Sequence, residues 1–121
     1  MKFIALVYGD EDGWERRSSE ERSELLGRYV SLSEEMRAAG VYVDANQLLP
    51  TRDATSVRVR DTETLVVDGP YAEVKEALGG YYLLECGSLD DALDWAARIP
   101  AAEDGAVEVR PVYVDTEEEQ L

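Results

Sequence analysis

The sequence of 121 residues contains no histidine, and this absence removes several common kinds of catalytic site. Ser-His-Asp and Cys-His catalysis both use an imidazole as the general base, so neither mechanism is available to this chain. Histidine-ligated metal sites are excluded for the same reason. A calcium or magnesium site built from carboxylates alone stays open, but the spacing of an EF-hand is not present. We therefore expect no bound metal and no cofactor.

Cysteine occurs once, at Cys86, so no disulfide can form within the chain. Cys86 ends an apolar run, where a small buried strand residue is a better interpretation than a nucleophile. Long hydrophobic runs are also missing. The N-terminal run from Phe3 to Tyr8 is only as long as a strand and has no signal-peptide cleavage site, and no segment approaches the length of a membrane span. These features predict a cytoplasmic protein that does not enter a membrane.

Basic residues are scarce, with 12 lysines and arginines against 27 acidic residues and a net charge of −15. Phosphate backbones bind to concentrated positive surfaces, so nucleic acid is not an expected partner. The simplest interpretation of the acidity is a well-hydrated, soluble surface, and attraction of cationic ligands is the alternative. The length predicts one domain over residues 1–114, followed by a charged tail at 115–121 that we expect to be frayed.

Two helices are predicted from capping signals and from apolar residues that recur every three or four positions. Ser18 opens a capping box, and the periodic residues after it continue to Gly40, a typical C-terminal cap. Ser88 begins the second helix, which Pro100 stops. Strands are predicted from apolar runs and from alternation of apolar and polar residues. They lie at 3–8, within 41–49, in a hairpin of 57–60 and 65–67, at 81–86 and at 106–114. Residues 9–17, with Trp14 as the only large apolar group, are predicted to form a loop.

This order of elements is that of an α+β protein with the split βαβ, ferredoxin-like fold and an inserted β-hairpin. Each helix has one apolar stripe to bury, so both helices must lie on the same face of the sheet. On the last strand Val107 and Val109 are expected to face the helices, and Glu108 and Arg110 the other side. Solvent or a second subunit must cover that other face, and a homodimer that encloses a cavity would explain its mixed character.

One stretch combines turn residues with ionisable and aromatic side chains. It runs from Val67 to Glu76 and continues into Gly79-Gly80 and Tyr81-Tyr82. Gly69-Pro70 forces a change of direction, because proline fixes φ while glycine accepts strained dihedral angles. Such a composition is typical of a shaped, functional loop rather than a bare connection.

With this motif the chain resembles the YCII-related family, in the branch named for an Asp-Gly-Pro-Phe signature (DGPF). The fourth position here is Tyr71, and the resemblance continues through 95–100 and 107–111. It implies a dimeric α+β barrel built from ferredoxin-like subunits. Members of this branch are often linked to extracytoplasmic-function sigma factors by gene neighbourhood. A His–Asp pair was suggested to act in the founding branch, but Tyr29 stands about where many relatives carry histidine, so that mechanism is not carried over.

Eight residues are candidates for a functional site, and each has a plainer structural interpretation beside it. Asp68 is the candidate catalytic group, or it caps its own turn by accepting backbone N–H bonds. Glu73 and Lys75 contact a ligand or form a surface ion pair. Arg110 anchors an anionic ligand or pairs across strands. Four tyrosines either line the walls of a pocket or pack in the core: Tyr8, Tyr29, Tyr71 and Tyr82.

Three functional hypotheses follow. The first is a small-molecule-binding domain with a pocket at the Asp68 loop, between sheet and helices, in which any reaction would be proton transfer by a carboxylate or a tyrosine. The second is a regulatory interaction module associated with an extracytoplasmic-function sigma factor, favoured by the acidic surface and by Trp14. The third is that the motif is purely architectural.

Overall fold

The computed structural model describes residues 1–72 and 74–114, and the predicted tail at 115–121 and Glu73 lie outside the described residues. Its helices and strands are, in order, β1 (Lys2–Gly9), α1 (Glu11–Arg16), α2 (Ser19–Ala38), β2 (Tyr42–Gln47), β3 (Thr55–Arg60), β4 (Glu63–Asp68), β5 (Ala77–Glu85), α3 (Leu89–Ala96) and β6 (Ala106–Pro111). Four strands form an antiparallel sheet in the order β2-β5-β1-β6, and β3 and β4 form a separate hairpin. The predicted ferredoxin-like α+β fold with an inserted hairpin is confirmed.

The hydrophobic core lies between one face of the four-stranded sheet and the helices α2 and α3. Phe3 of β1, Leu84 of β5, Met36 of α2 and Ile99 after α3 are each at most 1% exposed. Side chains buried to this extent leave little free volume around them, because protein interiors are packed as densely as organic crystals. These four side chains occupy the space between sheet and helices at the centre of the core. The expectation of a pocket between sheet and helices stays a prediction.

The last strand, β6, divides its side chains between the two faces as its alternation predicts. Val107 and Val109 are half-buried and pack against the core, whereas Glu108 and Arg110 are exposed on the other side. Successive strand residues point to opposite faces, so this pattern assigns one apolar and one polar side to β6.

The segment between β1 and α2, predicted to be a loop, contains the short helix α1. The Asp10 carboxylate caps it by accepting a bond from the Asp12 N–H at 3.0 Å. This bond is the main cause of a lowered Asp10 pKa, and an ion pair with Arg16 at 3.1 Å adds to it. Trp14 is half-buried, with the Arg22 guanidinium 5.5 Å from its ring centroid. The loop prediction was wrong because a helix with one large apolar residue has almost no periodic signal.

Strand β5 begins at Ala77, four residues earlier than predicted, and so it includes the glycine pair. The backbones of β2 and β5 approach closely at Gly80. A Cβ atom at this position would lie 2.8 Å from the Asn46 carbonyl oxygen, a distance at which one strand must move. Glycine is therefore required here by the close approach of another backbone rather than by a turn.

We predict that Gly80→Ala lowers the free energy of unfolding by roughly 1–3 kcal/mol, because the added methyl group pushes β2 away from β5. Urea denaturation measures the change. The matched control is Gly27→Ala in α2, where nothing lies within 4 Å of the new Cβ. There alanine raises the stability by about 1 kcal/mol or less, because glycine is a poor helix former. Effects of the same sign at both positions would contradict the close approach at Gly80.

Candidate functional site

The side of the sheet away from the helices, here called the open face, has an apolar centre between polar edges. Strand register places its residues in rows across β2, β5, β1 and β6. One row is Asp44, Leu83, Ile4 and Arg110, and the next is Asn46, Tyr81, Leu6 and Glu108. In both rows the two central residues are half-buried and the two outer residues are exposed.

Two tyrosine hydroxyls of the open face are directed toward its polar edges. The Tyr81 hydroxyl donates to the Asp44 carboxylate at 2.7 Å and accepts a bond from the Asn46 amide at 2.9 Å. The Tyr8 hydroxyl donates to the Glu108 carboxylate across a longer distance of 3.4 Å. Each carboxylate has further lone pairs, so both can accept additional hydrogen bonds from a ligand.

Tyr29, on α2, and Tyr82, on β5, lie on the side of the sheet that the helices cover. Tyr82 is 6% exposed, and its hydroxyl is 3.4 Å from that of Ser33. Tyr29 is half-buried and packs against the same core. Burial raises the pKa of both phenols above 10.0, because a phenolate would lose its hydration there. The core interpretation therefore fits these two tyrosines, and they do not share a face with Tyr8 and Arg110.

The Asp68 turn is held together by its backbone and by Ser56. Gly69 has φ of 115°, which a side chain would strain, and its N–H donates to the Ala54 carbonyl at 2.7 Å. The Ser56 hydroxyl donates to the Gly69 carbonyl at 2.8 Å. The Asp68 carboxylate is exposed, and no hydrogen bond reaches it from residues 1–72 or 74–114. In this part of the chain its carboxylate is thus available to a ligand.

The remaining candidates lie at two different places. Tyr71 is 76% exposed, and the Arg58 guanidinium of β3 lies 4.5 Å from its ring centroid, which ties the loop to the hairpin. Lys75 is exposed, and its charge contributes to the lowered pKa of Asp10. Because β5 begins at Ala77, which pairs with Gly9 of β1, Lys75 lies near the end of the sheet where β1 finishes, the same end as Tyr8.

The structure brings together only part of the predicted site. Tyr8 and Arg110 share the open face, with Lys75 near one end of it, whereas Asp68 and Tyr71 belong to the hairpin and its loop. Four residues of the open face were not among the predicted site residues: Asp44, Asn46, Tyr81 and Glu108. The sequence signal that could have identified these four residues is the period of two along β2, β5 and β6. Successive side chains of a strand point to opposite faces, so the residue next to each of the four faces the core.

Two clefts lie elsewhere, and none of the predicted site residues lines them. The larger, of about 450 Å³, runs along α2, and its arginines are already paired, Arg28 with Glu103 and Arg98 with Glu35. The second, of about 240 Å³, lies beside Trp95. Within residues 1–72 and 74–114, no three Asp, Glu or Cys side chains are grouped to hold a metal ion. No helix in this part is both long and apolar enough to cross a bilayer.

Comparison with known proteins assigns nearly the whole chain to one family. A family model for the YCII-related domain matches residues 1–115. The chain belongs to the YCII-related family. An uncharacterized protein of Rhizobium meliloti (strain 1021) is 38% identical over 114 residues, which span 93% of this chain and 92% of the relative. The YCII-related domain thus includes the open face, the hairpin and the Asp68 loop together, and the predicted family is confirmed.

We predict that stability falls as the pH rises above about 10, because the folded state holds the protons of Tyr29 and Tyr82 more tightly than the unfolded state. Each phenol contributes a slope of at most ~1.4 kcal/mol per pH unit between its unfolded and folded pKa. Tyr82→Phe should reduce this slope, measured as the free energy of unfolding at several alkaline pH values. Tyr113→Phe is the control, since Tyr113 is 86% exposed. An equal reduction of the slope in this control would contradict the assignment of the effect to the buried phenols.

Proposed function

We propose that this protein is a small-molecule-binding homodimer in which two open faces, together with the Asp68–Tyr71 loop, enclose the ligand. The observation that carries the proposal is the apolar centre of the open face: Ile4, Leu6, Tyr81 and Leu83, all half-buried. A sheet face left to water normally carries polar residues. A contiguous apolar centre with a polar rim is instead typical of an interaction or binding surface. The family resemblance implies the same dimeric arrangement.

The groups around this centre favour an organic ligand with an apolar body and polar ends. Ligand pockets combine apolar walls with a few directed polar groups, and the open face supplies both. Asp44 and Glu108 accept hydrogen bonds at its edges. Arg110 provides a planar cationic group for an anionic substituent. A ligand with an apolar ring or chain would lie across Leu6 and Leu83 and place its polar atoms at these edges.

Proton transfer is the reaction that the side chains of this chain favour. The chain has no histidine and its single cysteine is buried beside the core, which leaves carboxylates and phenols as acids and bases. Asp68 is the strongest candidate because its carboxylate is exposed and accepts no bond within the described residues. It would orient the ligand or remove a proton from it, while Lys75 would stabilise the negative charge that develops.

A different surface supports a second candidate function, that of an interaction module for an extracytoplasmic-function sigma factor. The β3–β4 hairpin exposes large apolar side chains, with Val57 at 65%, Val59 at 60% and Val66 at 64%. An isolated two-stranded hairpin is marginally stable in water, so a protein that covered these valines would stabilise it. Co-elution with such a sigma factor, lost on Val66→Ser but kept on an open-face variant, would support this candidate, and absence of co-elution would contradict it.

For the homodimer, we predict that the wild-type protein sediments as two copies and that Leu83→Glu sediments as one, because a carboxylate on the apolar centre would lose hydration when the two faces enclose it. Analytical ultracentrifugation gives the mass, and circular dichroism verifies that the variant is folded. Leu93→Glu is the matched control, since Leu93 is 44% exposed on α3 on the outer side of the molecule. A wild-type mass of one chain would rule out the homodimer.

For the ligand, we predict that a metabolite panel contains compounds that raise the melting temperature of the wild type by several degrees. A ligand at one hundred times its Kd adds ~2.7 kcal/mol to stability. Asp68→Asn and Tyr81→Phe should reduce the shift by at least half if both side chains contact the ligand. Asp61→Asn, in the exposed turn of the hairpin, should leave it unchanged. A panel without any response, or equal shifts in all variants, would remove the basis for a binding site here.

A further inference from the structure

The β3–β4 hairpin projects from the molecule with both of its faces exposed. Of the residues in its two strands only Ser56 is half-buried, and the rest are exposed. Most elements of a protein are held in place by buried apolar contacts, and a two-stranded hairpin without them is marginally stable in water. Contacts at the base of the hairpin therefore decide its orientation. The segment 48–54 forms part of this base, because it leads from β2 into β3.

One carboxylate of α1 holds this segment with both of its oxygens. Glu11 accepts a bond from the Thr51 N–H at 2.8 Å and another from the Thr51 hydroxyl at 2.7 Å. Thr51 opens a single turn of 3-10 helix, and Pro50 before it makes no capping bond, so Glu11 supplies that cap from another part of the chain. Within residues 1–72 and 74–114, the segment 49–54 makes hydrogen bonds to the four-stranded sheet or the helices only through Glu11 and Glu15. The Glu15 contact is an exposed ion pair at 3.4 Å, which contributes little.

Helix α1 is itself fixed to the core helix α2. The Arg22 guanidinium of α2 donates to the Trp14 carbonyl at 3.0 Å and to the Glu15 carbonyl at 2.9 Å. Both carbonyls belong to the last turn of α1, where they have no partner within the helix and where a cation is favourable. Helix α2 in turn packs on the sheet through Leu32 and Met36. Helix α1 is thus a bracket between the core and the base of the hairpin.

We propose that Glu11 is a positioning residue, which through Thr51 fixes the β3–β4 hairpin and the Asp68 loop relative to the sheet. The path continues from Thr51 to Ala54, whose carbonyl accepts the Gly69 N–H at 2.7 Å directly beside Asp68. Release of the Glu11 contact frees the hairpin while the four-stranded sheet stays folded, because no residue of the core belongs to β3 or β4. The inference goes beyond the proposed function, since it needs neither a ligand nor a second copy.

The test is native-state hydrogen exchange of the amides in β3 and β4, compared with those in β1. We expect Glu11→Ala to raise the exchange rates of the hairpin amides by at least ~10-fold and those of β1 by less than ~2-fold, because local opening exposes only the hairpin. Asp12→Ala is the matched control and should leave both sets of rates unchanged. Asp12 carries the same charge in the same turn of α1, but it is exposed and its carboxylate accepts no hydrogen bond within residues 1–72 and 74–114.

A second pair of variants tests the same contact from the other side. Thr51→Val removes the hydroxyl bond and should accelerate exchange in the hairpin, whereas Thr51→Ser keeps that bond and should exchange like the wild type. In the Glu11→Ala background Thr51→Val should add little, because both changes remove the same contact. If Glu11→Ala does not fold, the two Thr51 variants decide.

Two results would overturn the positioning role of Glu11. One is an unchanged exchange rate in the hairpin, and the other is equal acceleration in β1, which would reduce Glu11 to a contribution to global stability. A metabolite panel without any response would remove the proposed ligand site and leave this inference standing, because exchange is measured on the free protein.

Discussion

Strand β1 is hydrogen bonded along both edges, by β5 and by β6, and the helices cover only one of its faces. Phe3 and Ala5 are consequently buried, while Ile4 and Leu6 occupy the middle of a face that no described helix covers. Burial of apolar surface is favourable by about 25 cal/mol per Å². Cover of this face by another chain or a ligand would therefore be favourable, and this one-sided packing is the reason for proposing a site there.

The strong negative charge works against the same association. Two copies that each carry a net charge of −15 repel one another at long range, and dissolved salt screens that repulsion over about 10 Å at moderate ionic strength. Contacts at the interface act at shorter distances and between individual groups. An apolar centre with charges at its edges is consistent with both requirements: the net charge favours hydration of the surface, and in the proposed dimer the local pattern would select which surfaces meet.

Much of the fold could be predicted from the sequence because its signals are local. Ser18 and Glu21 form both hydrogen bonds of the predicted capping box, and the alternation of Val57 and Val59 marks a hairpin strand. The grouping of site residues depends instead on register. Irregularities between Val7 and Tyr8, and between Tyr42 and Asp44, shift the pairing by one residue, and nothing in the local sequence fixes them. The period of two separates Tyr81 from Tyr82 along one strand, but only the register shows that Asp44 and Arg110 lie in one row.

The central place of the first strand also governs how the chain folds during synthesis. Both neighbours of β1 come late, at Ala77–Glu85 and Ala106–Pro111, so its two edges stay unpaired until those segments have been made. Helix α2 is made early but has no completed sheet on which to pack. Long-range pairing of this kind is slow, because distant segments must meet before any contact stabilises them. An apolar strand whose edges are unpaired is prone to aggregation, so the late pairing of β1 is the step of folding at which this domain is most exposed to it.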